Sequence, residues 1–280
     1  MADELLACYI PLRLKSAISD PFDRPIPKWW GRAVQAWFLS IVREKKPDLA
    51  EELHRENSLH PYTVSSLIGL KKNESITPER QYQIRITSLI PDLSDLIQQE
   101  LEPQGAFSPE AECILDYLPF QIESDRRSDS ASCNVAAASY SGIIGKSLQQ
   151  AEESVFDFWF VSPTMFSSED KTQPLPLPGL VFHALTKKWN AFSPIALPEE
   201  ITRYAAECLA VSSFHISSVP VWMQSSMLRI GTVGKMRFRA IPHDRYWVSM
   251  IHALTSFAPF SGVGAGTAWG LGQCQMIPDR

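Results

Sequence analysis

Five of the chain's thirteen glycines fall within the eleven residues Gly262-Val-Gly-Ala-Gly-Thr-Ala-Trp-Gly-Leu-Gly272, just behind an apolar run. Glycine at that density serves where φ must turn positive, or where a phosphate or another main chain lies against bare amides. A plainer role is a tight turn leading into a last strand. Two nucleotide motifs fail here. G-x-G-x-x-G breaks at Thr267, in the place of the third glycine, and Gly145-Lys146-Ser147 lacks a P-loop's upstream glycine because Tyr140 stands there.

A second chemistry-bearing stretch precedes the glycines. Between Arg229 and Arg245 stand five basic residues, Arg229, Lys235, Arg237, Arg239 and Arg245, against one acid, Asp244. Another basic excess runs from Arg13 to Lys46. Such runs are most often solvated faces, but a row of cations is also what a polyanion needs.

The whole composition narrows the choices. A length of 280 residues is enough for two domains with their own cores, and 45% hydrophobic with 20% charged residues describes a globular protein. The net charge of −5 and pI near 5.7 weigh against indiscriminate nucleic-acid binding, so any such site has to be local. No apolar run reaches the roughly 18 residues of a membrane span, and Met-Ala-Asp-Glu lacks the basic start of a signal peptide, so a cytoplasmic location is expected. The five cysteines, Cys8, Cys113, Cys133, Cys208 and Cys274, are scattered and form no C-x-x-C pair. That spacing argues against a disulfide framework and a structural zinc, and neither metal nor cofactor is expected.

The elements that must carry these residues follow from periodicity. Leu5 to Leu14 reads as a strand, and Trp30, Ala33, Val34, Trp37, Phe38 and Ile41 recur at helical spacing within a helix from Lys28 to Lys45. The tryptophans there are expected in the core rather than as stacking platforms. Pro47 ends that helix or begins another carrying Leu49 and Leu53. Pro61 to Ile68, then Tyr82, Ile84 and Ile86 at period two, give two strands joined by a turn at Lys71 to Ser75. Leu93 to Leu101 is a helix, Cys113 to Ile122 one strand, and Ser124 to Ser132 a polar loop. A second round starts with a strand at Ser154 to Val161. Helices follow from Pro178 and after Pro198, then strands over Phe214–Trp222 and Leu228–Ile241, a helix from about Asp244 to Phe257, the glycines and a last strand. Each round orders as β-α-β-β-α-β, so the expected fold is α+β, two tandem ferredoxin-like, RRM-like domains over 1–150 and 151–280. That architecture carries RNA in recognition modules and also hosts unrelated roles.

Phe257-Ala-Pro-Phe-Ser-Gly-Val-Gly-Ala-Gly-Thr-Ala-Trp-Gly-Leu-Gly-Gln273 resembles the signature glycine-rich loop of the CRISPR-associated repeat-RNA processing endoribonucleases. Phe160 to Phe166, Pro174 to Pro178 and Val181 to Asn190 are similar to that family's second-domain entry, and Gly231-Thr-Val-Gly-Lys235 to the turn before its basic strand. Gly31 to Leu39, Leu53-His54 and Pro61 to Leu67 extend the likeness into the first half.

The resemblance implies cleavage of precursor CRISPR RNA within each repeat hairpin, without a metal. The ribose 2′-hydroxyl attacks the adjacent phosphate, leaving a 2′,3′-cyclic phosphate and a 5′-hydroxyl. It implies repeat RNA as partner, with the product held and passed to other subunits of an interference complex. Such chemistry needs a base, an acid and cations about the developing charge. Many members carry a histidine in the first helix where this chain has Gln35, an amide that cannot shuttle a proton. Of the six histidines, His54 and then His60 lie in polar sequence within reach of a bound phosphate, with Arg32 as phosphate clamp. His183 and His252 fall at apolar helical spacing and are expected packed or capping; His215 and His243 are open. Lys235, Arg237 and Arg239, alternating on a strand, would form a basic row gripping RNA with Arg229. Gly262, Gly264 and Gly266 would offer amides, and Thr267 a hydroxyl. A repeat-RNA-binding subunit that does not cut remains an alternative, favoured by Gln35. A small-molecule enzyme, which would need a concave site on the glycine loop, is a third.

Overall fold

The alternation of apolar residues along the strands resolves into two antiparallel sheets with the same internal order. The computed structural model describes residues 4–16, 26–53, 59–70, 74–124, 135–168, 171–224 and 227–276. His54, Cys133, the 71–73 part of the expected turn and residues 125–132 of the expected polar loop lie outside the described residues.

The first round comprises β1 (Leu5–Leu14), α1 (Gly31–Lys45), α2 (Pro47–Leu53), β2 (Tyr62–Val64), β3 (Gln81–Ser88) and α3 (Pro91–Leu101), then β4 (Glu112–Leu115), β5 (Leu118–Ile122), β6 (Val135–Ala138) and α4 (Tyr140–Gln149). Its sheet runs β2-β3-β1-β5-β4, with β6 also paired to β1. Along β1, Leu6, Cys8, Ile10, Leu12 and Leu14 point to one face and share a core with Val34, Phe38 and Val42 of α1. α1 stops at Lys46 because the proline that follows disfavours helical geometry in the residue before it.

The second round comprises β7 (Val155–Thr164), the small hairpin β8 (Phe166–Ser168) and β9 (Lys171–Gln173), α5 (Pro178–Phe192), α6 (Glu200–Cys208), β10 (Leu209–Gln224), β11 (Met227–Ala240) and α7 (Arg245–Ser261). A single 3-10 turn, Thr267–Trp269, and β12 (Cys274–Gln275) complete it. The sheet order is β10-β11-β7-β12. In the first round β5, the second arm of the β4–β5 hairpin, and in the second round β12 lies beside the round's first strand, followed by its third and second, which is the ferredoxin-like arrangement expected from the sequence. Phe156, Phe158 and Phe160 of β7 are buried with Phe182 and Phe238. Each such ring contributes about 1.5–3 kcal/mol on leaving water.

Several expectations need correction. The apolar run Cys113 to Ile122 is not one strand but a tight hairpin turning at Asp116, whose φ is 60°, and Tyr117. Apolar residues flanking both sides hid that turn. β6 and α4 were not foreseen; Ser139 caps α4 by accepting from the Gly142 amide at 3.1 Å. α1 begins at Gly31 rather than Lys28, and only Trp30 of its tryptophans is fully buried, Trp29 and Trp37 remaining half-exposed. Gly231 to Lys235 lies inside β11 rather than in a turn, and α7 continues through Pro259 to Ser261.

The way α7 ends ties the rounds together. Its last four carbonyls have no partners within the helix and must be satisfied elsewhere. Ala258 O accepts from the Gly262 amide, Pro259 O from Arg85 Nη2 at 2.7 Å, Phe260 O from Thr87 Oγ1 at 2.7 Å, and Ser261 O from Lys188 Nζ. Arg85 and Thr87 belong to β3, so the first sheet caps the second round's helix, with the Arg85 guanidinium at the negative end of its dipole. Arg85 also donates to Gln273 Oε1 at 3.0 Å, and Gln273 reaches Thr63 and Val64 of β2. Tyr140 of α4 packs 5.0 Å from Trp189 and 5.8 Å from Phe257, inside the second core. Among the described residues no helix is long and apolar enough to cross a membrane.

Candidate functional site

The glycine-rich stretch leaves α7 at Gly262, and all five of its glycines have positive φ. Gly262, Gly264, Gly270 and Gly272 approach main chain, and Gly266 the Leu271 side chain. A Cβ on Gly31, at the start of α1, would lie 1.8 Å from Trp269 O. Gly270, at φ +87°, bridges Ser65 beside β2, and a Cβ there would come within 2.8 Å of Ser66 N. The loop of the second round is therefore seated on the first turn of α1 and on the end of β2. Gly262 is buried, and Gly264 and Gly266 are half-buried. Thr267, expected to offer its hydroxyl outward, instead faces inward at 5% exposure and accepts from Lys188 Nζ at 2.6 Å. Burial lowers the Lys188 amine to about 7.

The exposed part of the loop is Trp269. The Arg32 guanidinium lies 5.2 Å from its ring centre, and Trp29 Nε1 donates to its carbonyl at 2.6 Å. One turn further along α1, the Gln35 amide donates to Tyr62 Oη at 2.9 Å. Burial pushes the Tyr62 phenol up to about 12, so it keeps its proton across the neutral range. The His60 ring, half-buried, lies 5.3 Å from that of Tyr62. Arg32, Gln35, Tyr62 and His60 thus form one contiguous line starting at the loop: a cation, an amide, a neutral phenol and an imidazole. The other described histidines lie elsewhere. His252 is buried with Nε2 2.7 Å from Glu153 O, and burial lowers its pKa. His183 is exposed on α5 rather than packed, because its position turns away from the apolar stripe of Val181, Phe182 and Leu185. His215 is exposed opposite Lys235, and His243 Nδ1 lies 2.9 Å from Ser154 Oγ.

The basic row stands as its alternation requires. Lys235, Arg237 and Arg239 are exposed while Met236, Phe238 and Ala240 are buried. Its members are not equivalent. Arg237 is held by both oxygens of Asp157, at 2.7 and 2.8 Å, which raises its pKa and neutralises it locally. The Lys235 amine lies 5.1 Å over the Trp159 ring. Arg229, further out on the β10–β11 hairpin, donates to Thr172 at 2.6 Å. The row joins the first sheet through β12: Gln275 pairs with Trp159 and donates to Tyr9 Oη at 2.7 Å. On the hairpin's outer part Trp222 carries Lys28 5.9 Å over its ring, a second cation–aromatic contact across the two rounds.

Among the described residues no group of three or more His, Cys, Asp or Glu side chains converges as a metal site would. Trp269, Trp29, Lys188 and Tyr62 were not singled out from sequence. The available signal for Trp269 was a lone large side chain set among glycines.

Residues 158–274 match the family model of the CRISPR-associated endoribonuclease Cas6. The matched span covers the second round and its glycine loop, while the likeness of the first round rests on three-dimensional comparison. Thermus thermophilus Cas6 (TTHB231) in a product complex superposes with a TM-score of 0.74 at 21% identity, over 99% of this chain and 100% of that one. Cas6 (TTHA0078) in a product complex gives 0.71 at 20% identity, over 98% and 100%. A RAMP protein described as binding different RNA substrates gives 0.52 at 16% identity, over 98% and 100%. These likenesses carry the tandem ferredoxin-like fold. No curated protein matched the chain.

Proposed function

We propose that the chain is a repeat-RNA processing endoribonuclease, with domains over 1–150 and 151–280 that work as one unit. The observation that carries this is the seating of the family's glycine loop on α1, which sets Arg32 beside Trp269 and one turn from Gln35, Tyr62 and His60. A phosphate at Arg32 would meet a bidentate donor. The basic row would hold the hairpin's backbone, and His60, with His54 read from sequence alone, would move protons between the 2′-hydroxyl and the leaving oxygen. The Gly262 amide closes α7 on Ala258 O, while the half-buried Gly264 and Gly266 would offer their amides to the RNA backbone. The 2′-hydroxyl attacks phosphorus, the bond to the 5′-oxygen breaks, and that oxygen takes a proton, leaving a cyclic phosphate and a free hydroxyl. Product RNA held on the row would suit hand-over to an interference complex.

A second reading has its own support. Gln35 is tied to a phenol that keeps its proton, so the first helix offers no group that titrates near neutral pH, and the same surface would suit a subunit that binds repeat RNA without cutting it. Incubation with the cognate repeat RNA in excess chelator, followed by analysis of length and end groups, separates the two. The expected result is cleavage with a cyclic phosphate, falling by about 10²–10⁴ when the essential histidine becomes alanine and sharply in Arg32→Ala. Intact RNA bound by the wild type would establish the binder.

A further inference from the structure

Beside the Arg32–Trp269 contact, α1 and the edge strand β4 border an open groove of about 740 Å³, of which the chemistry above uses Arg32 alone. Its floor is α1, where Ala33 and Ala36 contribute only methyl groups and so leave a slot between two indoles, Trp29 and Trp37. Both rings are fixed from behind. Trp37 packs 5.4 Å from Phe107, and Trp29 is held by its bond to Trp269 O and packs against Met165, Val221 and Leu271. The opposite wall is Ile114, flanked by the carboxylates of Glu112 and Asp116. Arg32 stands at the mouth, shared with the glycine loop.

We propose that this groove holds an unpaired nucleotide of the RNA, next to the phosphate at Arg32, with its base against the indoles and its exocyclic amino group donated to Asp116. The inference rests on the RNA-processing reading and adds the base preference of the same site. Three features select this occupant over others. A guanidinium at one end suits a phosphate, and flat aromatic walls suit a base of any identity. The far rim is acceptor-only when ionised, so it favours the amino edges of adenine, cytosine and guanine over the carbonyl oxygens of uracil. The same carboxylates repel backbone phosphates, which fixes the nucleotide's direction in the slot. Glu112 is already engaged by Lys15, so discrimination falls to Asp116. The volume lies within the range of small-ligand pockets, enough for one or two nucleotides.

The test uses the full chain and its repeat RNA, with the unpaired nucleotides on each side of the hairpin changed in turn to adenosine, cytidine, uridine or an abasic residue. Affinity and single-turnover cleavage are read for wild type, Asp116→Asn and Ala36→Trp. Asparagine tolerates the positive φ at 116, and tryptophan at the exposed position 36 fills the slot without entering the core. On one flank, wild type should prefer adenosine or cytidine over uridine by about tenfold. That ratio should fall toward one in Asp116→Asn, and Ala36→Trp should bind the natural RNA no better than wild type binds the abasic one. Binding and cutting that ignore the flanking base, or a preference both variants keep, would overturn the groove while leaving the processing reading intact. RNA binding unchanged in Ala36→Trp would overturn it too and point to a protein occupant. Failure to bind any of the RNAs would remove both readings.

Discussion

The buried amine under the glycine loop gives a quantitative prediction. Lys188 is 5% exposed, its nitrogen donates to Ser261 O and Thr267 Oγ1, and burial is the sole cause that moves it from 10.5 to about 7. In the unfolded chain the amine titrates near 10.5; in the native state it is neutral above about 7. Between those values the unfolded state binds one more proton, so stability rises with pH by about 1.4 kcal/mol per pH unit from this group alone. Below pH 7 both states are charged and the penalty of about 5 kcal/mol is constant, the product of that gap and the proton's free energy. Lys188→Met keeps the chain length and apolar contacts but removes the titration. It also leaves the Ser261 carbonyl and the Thr267 hydroxyl without this donor, at about 1–3 kcal/mol each. The cost of the substitution should therefore be smallest near pH 6 and grow by about 2–3 kcal/mol by pH 9. Urea unfolding of both proteins across that range, followed by tryptophan fluorescence, measures it. A cost that stays flat from pH 6 to 9 would refute the reasoning, since the amine would then titrate alike in both states.

Two further outcomes follow from the joint and the row. Gly31→Ala improves helix propensity by up to about 1 kcal/mol, yet its methyl would stand 1.8 Å from Trp269 O, so the loop must lift; thermal unfolding should show a net loss and cleavage should drop by about a hundredfold. Lys235→Ala should lower the slope of log affinity against log salt by about one, while Arg237→Ala, already paired with Asp157, should lower it by less than half as much; RNA titrations at four salt concentrations distinguish them.

The sequence was legible where one physical demand fixed the pattern. Period two along β11 put Lys235, Arg237 and Arg239 on one face because the alternate residues had to enter the core. The order of elements gave both ferredoxin-like rounds because each strand needs a buried face at a definite place in the sheet. The hairpin at Asp116 was hidden because a non-glycine turn between leucines carries no turn signal. α4 was hidden because its burial is provided by Trp189 and Phe257, far away in sequence. Thr267 was misplaced for a related reason. A hydroxyl among glycines looks available until the lysine that claims it, 79 residues away, is in place.

The same distinction bears on Gln35. A missing first-helix histidine removes a proton shuttle, and acid–base catalysis of that kind contributes about 10²–10⁴ in rate. Holding the attacking hydroxyl and the phosphate in line is worth about 7–11 kcal/mol, a larger share, and in the proposed reaction that share would rest on the loop, Arg32 and the basic row rather than on residue 35. Two of the glycines make the joint: Gly31 and Gly270 let the second round's backbone rest on α1 and β2 at a separation any side chain would forbid. A chain that only bound hairpins would use the basic row and could keep the same joint, so the end groups of the RNA rather than the loop separate the two readings; in the proposed cleavage the proton would be moved by a histidine outside the first helix.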